Sequence, residues 1–546
     1  MRIFTATIDK TDSVHDLKRC IKAEKSPGFD HLAADELILW KLEPPSLVGR
    51  ETDLQTALEA LRALKLDDST TEARRGQLHI IVQVPTTTNM SGFFTPPLEQ
   101  ESAKRLRTEH NDRFPSAPPS QAGVEQYFKR LQEQWDGPFA YCNRPASASS
   151  IPVTLMHPIF AQFVADSRTY EPTPADNALV LELCMEMSAT FHTQEDRRRI
   201  FTSVLQSHYE IDLIAGKLTG DGFSSDGHRV TNGFLDVCTV AAGAGSCGGV
   251  DPFLRGCVCY HEASRAQIVE HSFSALPCLL LVYSGLAYSD RPHMDMLGPL
   301  LPLSGHHHDC DMKTTAARSL GAFRNATRSL AKYYNEELPG FPNPLYPYPS
   351  SYRPLTGEPV HQDFKYLGKF GGAADNTRLL FYAETIGPAG NQKDLIIKFV
   401  RRYSKAAHEL CAALGYAPTL HGFEELPGGW LMAVMQRLPD SYGLYHGLGL
   451  DEEAKAAVAQ LLSDCIGRLH EANMVHGDVR SVNLLVRTDG EIGIKVVDFD
   501  WAGGVGVVRY PINVNRDGIA RPDTARDGML VTKEHDLDMI KFMFRP

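Results

Sequence analysis

The sequence predicts a multidomain α+β chain built from three globular blocks. Three observations carry this. A chain of 546 residues is too long for one hydrophobic core. Two proline-rich stretches interrupt it, and each block between them mixes period-two runs with helical patterns. The first stretch runs from Pro85 to about Ser120, with Thr86-Thr87-Thr88, Pro96-Pro97 and Pro118-Pro119. The second is Leu338-Pro339-Gly340-Phe341-Pro342-Asn343-Pro344-Leu345-Tyr346-Pro347-Tyr348-Pro349-Ser350, which cannot continue a helix or supply central strands. The blocks then fall at residues 1–85, 125–337 and 355–546, with 86–124 and 338–354 as linkers.

Bulk composition is that of an ordinary soluble protein, 43% hydrophobic and 22% charged. A formal charge of -12 argues against general nucleic-acid affinity, which needs clustered Lys and Arg. The eleven cysteines are scattered, and a chain this long needs no disulfides for its core, so reduced thiols are expected. The start, Met1 to Lys10, lacks the apolar core of a conventional signal peptide, and no stretch reaches the length of a membrane span. These features lead to a cytosolic or nuclear protein that leaves its cell, if at all, by an unconventional route.

In the first block, Arg2–Ile8, Leu37–Leu42 and Gln77–Val84 read as strands and Ser13–Glu24 as a helix. Thr11 or Asp12 is its N-cap, with Leu17 and Ile21 one turn apart. A small β-grasp, ubiquitin-like fold suits this order. The run Asp12-Ser13-Val14, Leu17-Lys18 and Ile21-Lys22, followed by Ala34-Asp35-Glu36-Leu37-Ile38-Leu39-Trp40-Lys41, resembles the N-terminal domain of Crinkler-type effectors of oomycetes and fungi. The Leu-x-Leu-Phe-Leu-Ala-Lys motif of oomycete members is absent. The resemblance implies a trafficking or adaptor module, secretion, and action in a host cell or its nucleus. Trp40 itself reads as a core aromatic, whatever the domain does.

In the middle block, Asn177–Phe191 and Glu195–Tyr209 read as paired amphipathic helices, with Arg197-Arg198-Arg199 on a solvated face. Asp226 stands ten residues before Asp236, which lies on an apolar strand with Cys238 two residues on. Acid, then acid-x-Lys on a strand, is the pattern of PD-(D/E)xK folds, in which two carboxylates bind a metal and the lysine positions water. The block resembles the restriction-endonuclease-like α/β domain that follows the N-terminal domain in some fungal Crinkler-type proteins. Cys238 takes the lysine place, and a thiol supplies no lasting positive charge. A catalytically weakened relative is therefore expected, with any nucleic-acid binding confined to this block. Cys257-x-Cys259-x-His261 and His306-His307-His308-Asp309-Cys310 contain metal-ligand types without the paired spacing of a zinc site, and read as buried thiols and a surface turn. Gly243 to Gly249 forms no dinucleotide fingerprint.

The third block carries the chemistry. Leu395–Val400 is an apolar strand holding a single lysine, Lys398, and Ser404–Leu414 follows with a helical period and Glu409 on it. Trp430–Met435 is a further buried strand. Ala454–His470 is a long helix, and after it come His476-Gly477-Asp478-Val479-Arg480-Ser481-Val482-Asn483 and Asp498-Phe499-Asp500-Trp501-Ala502-Gly503. Strand lysine, helix glutamate, catalytic loop and metal loop in this order resemble the protein-kinase superfamily, a bilobal fold. That resemblance implies that Lys398 holds the α- and β-phosphates of ATP, paired with Glu409, and that Asp478 takes the acceptor hydroxyl's proton. It also implies that Asn483 and Asp498 give oxygens to Mg. Gly368 and Gly371 would belong to the loop over the phosphates, and Met435 would be the gatekeeper. On the residues alone, the alternative for Glu409 is a solvated helix position and for Met435 a core methionine.

This sequence departs from that pattern in several places. Gly477 stands where many kinases have arginine, and Asp500 where the metal loop has glycine. The glycine loop lacks G-x-G-x-x-G spacing, and Arg509-Tyr510-Pro511 stands near the place of the missing A-P-E. Glu534-His535-Asp536-Leu537-Asp538 is the expected helix whose acid braces the catalytic loop; the later lobe helices that dock protein substrates are not expected. The sequence thus leads to ATP- and Mg-dependent phosphotransfer, with Ser or Thr of a protein as the preferred acceptor and no membrane partner. A scaffold that binds ATP without turnover and a nuclease in the middle block are the alternatives.

Overall fold

The computed structural model describes four strands within residues 2–83 and most of residues 99–545. It divides into two compact units, residues 1–93 and 94–546. The expected N-terminal helix Ser13–Glu24, the glycines of 243–249, His306, His307 and Gly371 lie outside the described residues.

In the first unit the strands are β1 (Arg2–Ile8), β2 (Ile38–Lys41), β3 (Leu64–Lys65) and β4 (Gly76–Gln83). Their sheet order is β1-β4-β2-β3, and β1 pairs antiparallel with β4 from Arg2↔Val82 to Ile8↔Gly76. A β-grasp sheet runs its first and last strands parallel, so this pairing departs from the expected β-grasp. Period-two patterning places strands but carries no information on their direction.

The second unit begins inside the expected linker. Residues 99–113 form α1 (Glu99–Arg113), which corrects the linker reading of 86–124. Its anchor is Arg107, fully buried and donating to the carbonyls of Ile268, His271, Ser274, Tyr288 and Ser289. A polar helix held by one arginine shows no apolar stripe, which is why the pattern missed it.

After the short helices Glu125–Glu133 and Val153–Met156 come α2 (Pro158–Thr169), α3 (Pro174–Met187) and α4 (Gln194–Tyr209), the last two close to the expected pair. Thr173 caps α3 in a capping box with Asp176. The same buried Asp176 accepts from Tyr209 at 2.7 Å and pairs with Arg324 at 2.9 Å. One carboxylate thus ties α3 to α4 and to α6 (Cys310–Asn335). Between α4 and α6 lie β5 (Ile214–Lys217), β6 (Ser224–Thr231), β7 (Phe234–Thr239), α5 (Pro252–Ser264), β8 (Cys278–Leu280), β9 (Ser284–Tyr288) and β10 (Pro292–Met296). The sheet order is β10-β9-β8-β7-β6-β5. Neighbours are antiparallel except β7 and β8, which run parallel across the α5 connection.

The C-terminal block opens on a second six-stranded sheet. Its strands are β11 (Ser351–Tyr352), β12 (Gln362–Lys369), β13 (Leu380–Thr385), β14 (Asp394–Val400), β15 (Leu420–Leu426) and β16 (Trp430–Gln436), in the order β11-β12-β13-β14-β16-β15. Helix α7 (Lys405–Ala413) connects β14 to β15. Beyond it are β17 (Tyr442–Leu444), α8 (Glu452–Glu471), β18 (Met474–Val475), β19 (Leu484–Arg487), β20 (Ile494–Val496), β21 (Gly503–Gly504) and α9 (Lys533–Met543). Asp451 caps α8, whose buried Val458, Leu462, Cys465, Ile466 and Leu469 face the core of this lobe.

Alternation along the central strands explains how the middle and C-terminal blocks meet. Leu395, Ile397 and Phe399 of β14, with Met432 and Val434 of β16, belong to the same apolar core as Phe160, Leu179, Leu286 and Leu330 of the middle block. Ile396 and Lys398 point the other way and pair across the sheet with Met435 and Ala433. The middle block therefore covers one face of this sheet and leaves the other for the site. At the seam, Trp430 donates to Thr154 at 2.9 Å, and the Arg401 guanidinium lies 3.7 Å from the Trp430 ring centre.

Residues 343–350 of the proline-rich stretch belong to the seam, which corrects their reading as a spacer. Tyr346 stacks on Tyr366 at 5.2 Å, the Tyr348 amide donates to Leu155 at 2.7 Å, and Tyr366 donates to Pro349 at 2.8 Å. Prolines remove amide donors, yet their carbonyls and the intervening rings still pack. Among the described residues no two cysteines form a disulfide, and no helix is long and apolar enough to cross a membrane.

Candidate active site

The site forms where the free face of β14 meets the loops after β18 and β20. Lys398 leaves β14 on that face and its ammonium donates to Asp498 and to Asp500, each at 2.6 Å. Burial works against the lysine charge, but the two carboxylates outweigh it and hold the ammonium above the ordinary lysine range. Burial likewise pushes the Asp500 carboxyl up, with Asp498 beside it adding to the shift. Asp498 goes the other way, because Lys398 more than offsets its burial and keeps it ionised. Asp498 also sits at φ 72, a left-handed backbone uncommon outside glycine, asparagine and aspartate.

The expected partner, Glu409, is elsewhere. Its side chain is 46% exposed and lies 3.7 Å from Lys405 on the same helix. The phase of α7 turns Ala407, His408 and Cys411 inward, so Glu409, one residue beyond His408, faces water. The ion-pair reading of Glu409 is therefore corrected: the lysine's partners are both on the metal loop.

His408 takes the inward place. Its ring stacks on Phe499 at 4.7 Å and 8°, and Phe499 in turn packs on His476 at 5.2 Å. Nε2 of His408 donates to the Pro418 carbonyl and Nδ1 accepts from Tyr403, which fixes the neutral tautomer. Phe499 has no exposed surface and so anchors the loop that carries Asp498 and Asp500.

Asp478, Asn483 and the loop between them are braced from below. The buried carboxylate of Asp536 on α9 accepts from the amides of His476 and Gly477, both at 2.8 Å. This is the bracing acid expected in 534–538. Gly477 takes φ +80, and a Cβ there would meet the Trp501 carbonyl at 2.9 Å. Asn483 donates to the Asp478 carbonyl at 2.9 Å and to its Oδ2 at 2.8 Å. That leaves the amide oxygen of Asn483 as its acceptor.

Sequence reasoning missed Arg521. It is buried, donates to Oδ1 of Asp478 at 2.5 Å and to the Asn515 carbonyl at 3.0 Å, and lies 4.8 Å from the Trp501 ring centre. Arg480 donates to the other oxygen of Asp478 at 2.9 Å. Arg521 comes from an irregular segment with no periodicity, so no local signal marks it. Of the remaining expected residues, Met435 is buried with Leu420, Ala433 and Tyr403, and Gly368 follows a register shift in β12 opposite Tyr382.

The middle block's expected acids do not converge on open space. Asp236 is fully buried and accepts from Arg229 at 2.7 and 3.0 Å and from Thr231 at 2.8 Å. Asp226 lies 3.8 Å from Arg198, so that arginine belongs to a pair and not to a bare solvated face. Cys238 is buried and its thiol is pushed up by that burial.

Residues 1–83 match the Crinkler effector protein N-terminal domain, which bears out the resemblance seen in that segment. Over 79 residues the chain is 34% identical to Aurora kinase C of Mus musculus, which agrees with the kinase-like reading. That match spans 14% of this chain and 25% of the relative's length. Among solved structures, the chain is similar to the Cydia pomonella Granulovirus kinase PK-1, with 20% identity and a TM-score of 0.27 over 32% of this chain and 65% of that one. It is also similar to vaccinia related kinase 3, with 17% identity and a TM-score of 0.27 over 35% of this chain and 65% of that one.

Proposed function

We propose that the C-terminal block binds ATP with magnesium and transfers the γ-phosphoryl group to a hydroxyl acceptor, a Ser or Thr of a protein. The observation that carries this is convergence. Lys398, Asp478, Asn483 and Asp498 come from distant segments, yet Lys398 meets Asp498, Asn483 meets Asp478, and Asp536 braces the loop between.

Each residue then has a task. Lys398 offers an ammonium to the phosphates, and Asp478 orients the acceptor hydroxyl and takes its proton. Asp498 and the Asn483 amide are hard oxygen donors of the kind magnesium takes, so the residues present fit that ion. When bound, magnesium supplies charge neutralisation at the phosphates. The match at residues 1–83 supports a Crinkler-like effector architecture, with that N-terminal domain as adaptor and a host cell as the place of action. The alternative place of action is the cytosol or nucleus of the producing cell.

The test measures ATP consumption and DNA cleavage for wild type, Asp478→Ala and Asp236→Ala. Turnover is expected to fall at least about 100-fold in Asp478→Ala and to persist in Asp236→Ala. Cleavage lost with Asp236→Ala would promote a nuclease, which the Arg229–Asp236 pair and the buried Cys238 oppose.

A second reading, ATP binding without turnover, is favoured by Arg521, which occupies the oxygen that Asp478 would turn to an acceptor. Under phosphotransfer Arg521 must withdraw, and Arg521→Ala is expected to raise initial turnover several-fold. A variant that binds ATP and still turns nothing over would support the scaffold.

A further inference from the structure

We propose that Asp500 is the positioning residue for Lys398, holding its ammonium from the metal loop in place of a helix carboxylate. The inference rests on the phosphotransfer reading of the same site.

Three observations lead to it. First, the Lys398 ammonium is divided between two carboxylates at equal 2.6 Å distances, and one of them is Asp500. An ammonium has three donors, so two anchors still leave one for a phosphate oxygen. The Tyr403 ring, 5.8 Å from the nitrogen, borders the same group. Second, the helix that faces this lysine offers no acid. Its inward positions are Ala407, His408 and Cys411, and Glu409 pairs outward with Lys405. His408 fills the space beside Phe499 instead, so a simple rotation of α7 would break the ring stack and the Pro418 bond to bring Glu409 in.

Third, the two carboxylates are not equivalent. Asp498 is the one whose oxygens the proposed chemistry commits to magnesium. A lysine anchored by Asp498 alone would lose its partner when those oxygens turned to the metal. Asp500 is two residues on, across the buried Phe499, and remains available to the lysine. Its side chain stands at the metal loop's expected glycine, and it lacks the left-handed backbone found at Asp498. The loop therefore holds this carboxylate without a left-handed backbone.

The experiment uses the full chain as wild type, Asp500→Asn, Asp500→Glu and Glu409→Gln. It measures equilibrium ATP binding without added metal, KM and kcat with magnesium, and the urea midpoint of each variant. Asp500→Asn is expected to weaken metal-free ATP binding and raise KM for ATP by about 10- to 100-fold, the effect of losing a charged hydrogen bond. Asp500→Glu is expected to recover most of that loss, while Glu409→Gln stays at wild type.

Asp500→Asn with wild-type binding and an unchanged urea midpoint would overturn the proposal. So would Glu409→Gln losing as much as Asp500→Asn, or Asp500→Asn losing binding only in step with its folded fraction. Wild-type chain that binds ATP without turnover would sink phosphotransfer, while the binding comparison still decides on Asp500. Wild-type chain that binds no ATP overturns both.

Discussion

Replacing Trp430 with alanine is expected to destabilise the second unit by roughly 3–5 kcal/mol, the range for truncating a buried Trp or Phe. Three losses add. The indole leaves a void in a core shared by two blocks. Buried Thr154 loses the donor that reaches it at 2.9 Å. Arg401 loses the ring beneath its guanidinium and keeps its bond to the Gly428 carbonyl. The seam has little slack to collapse into the void: Gly428 is in a left-handed conformation, and a Cβ there would meet the Ala161 carbonyl oxygen at 3.1 Å. Urea denaturation followed by fluorescence and by ATP binding checks this. Both signals are expected to shift together to lower urea. A C-terminal block that kept its midpoint while the middle block loosened would show that the shared core does not couple them.

Acid is expected to unfold the second unit between about pH 6 and pH 4. Five buried histidines are held neutral. Burial lowers His110, His293 and His408 to about 4 and His157 to about 3, and it takes His261 well below its usual value. The unfolded chain takes up protons near pH 6.5 at each of these rings, and the native chain does not. Stability is therefore full above about pH 6.5 and is lost as pH falls toward the folded values. At pH 4, three groups held to about 4 against 6.5 cost roughly 3 kcal/mol each. Asp295 and Asp500 act in the opposite sense, since burial raises them to about 6 and about 7 and their native forms take a proton first, but they are two groups against five. Urea midpoints at pH 7, 6, 5 and 4.5 test this, and a midpoint unchanged over that range would refute it.

The site was legible where its chemistry is local in sequence. Lys398 in an apolar strand, Asp478 with Asn483, and Asp498 before Phe499 could each be read from a few neighbouring residues, as could the acid of α9. Glu409 was misread because a helix's phase is set by what packs against it, and His408, not the glutamate, fits beside Phe499. Arg521 reaches Asp478 across 43 residues of irregular chain, a contact that leaves no periodic trace. The shared core did leave one. Leu395-Ile396-Ile397, then Phe399-Val400, is apolar on both faces, the pattern of a strand covered twice. It shows that something covers the second face, though not that the middle block does. The expected strands of the first unit were placed within two residues, while their direction depended on pairings that no local run encodes.

Gly477 gives the site a property that bears on how its mutants are judged. It contributes no side chain to any ligand, yet the clearance above it is taken up by the Trp501 carbonyl at 2.9 Å from where a Cβ would stand. A saturation screen would score position 477 as intolerant as Asp478 itself. What that score would measure is the gap between two backbones, so a tolerance map ranks steric necessity and chemistry on one scale. Telling them apart takes a residue that adds bulk without charge at 477 and one that removes charge without bulk at 478.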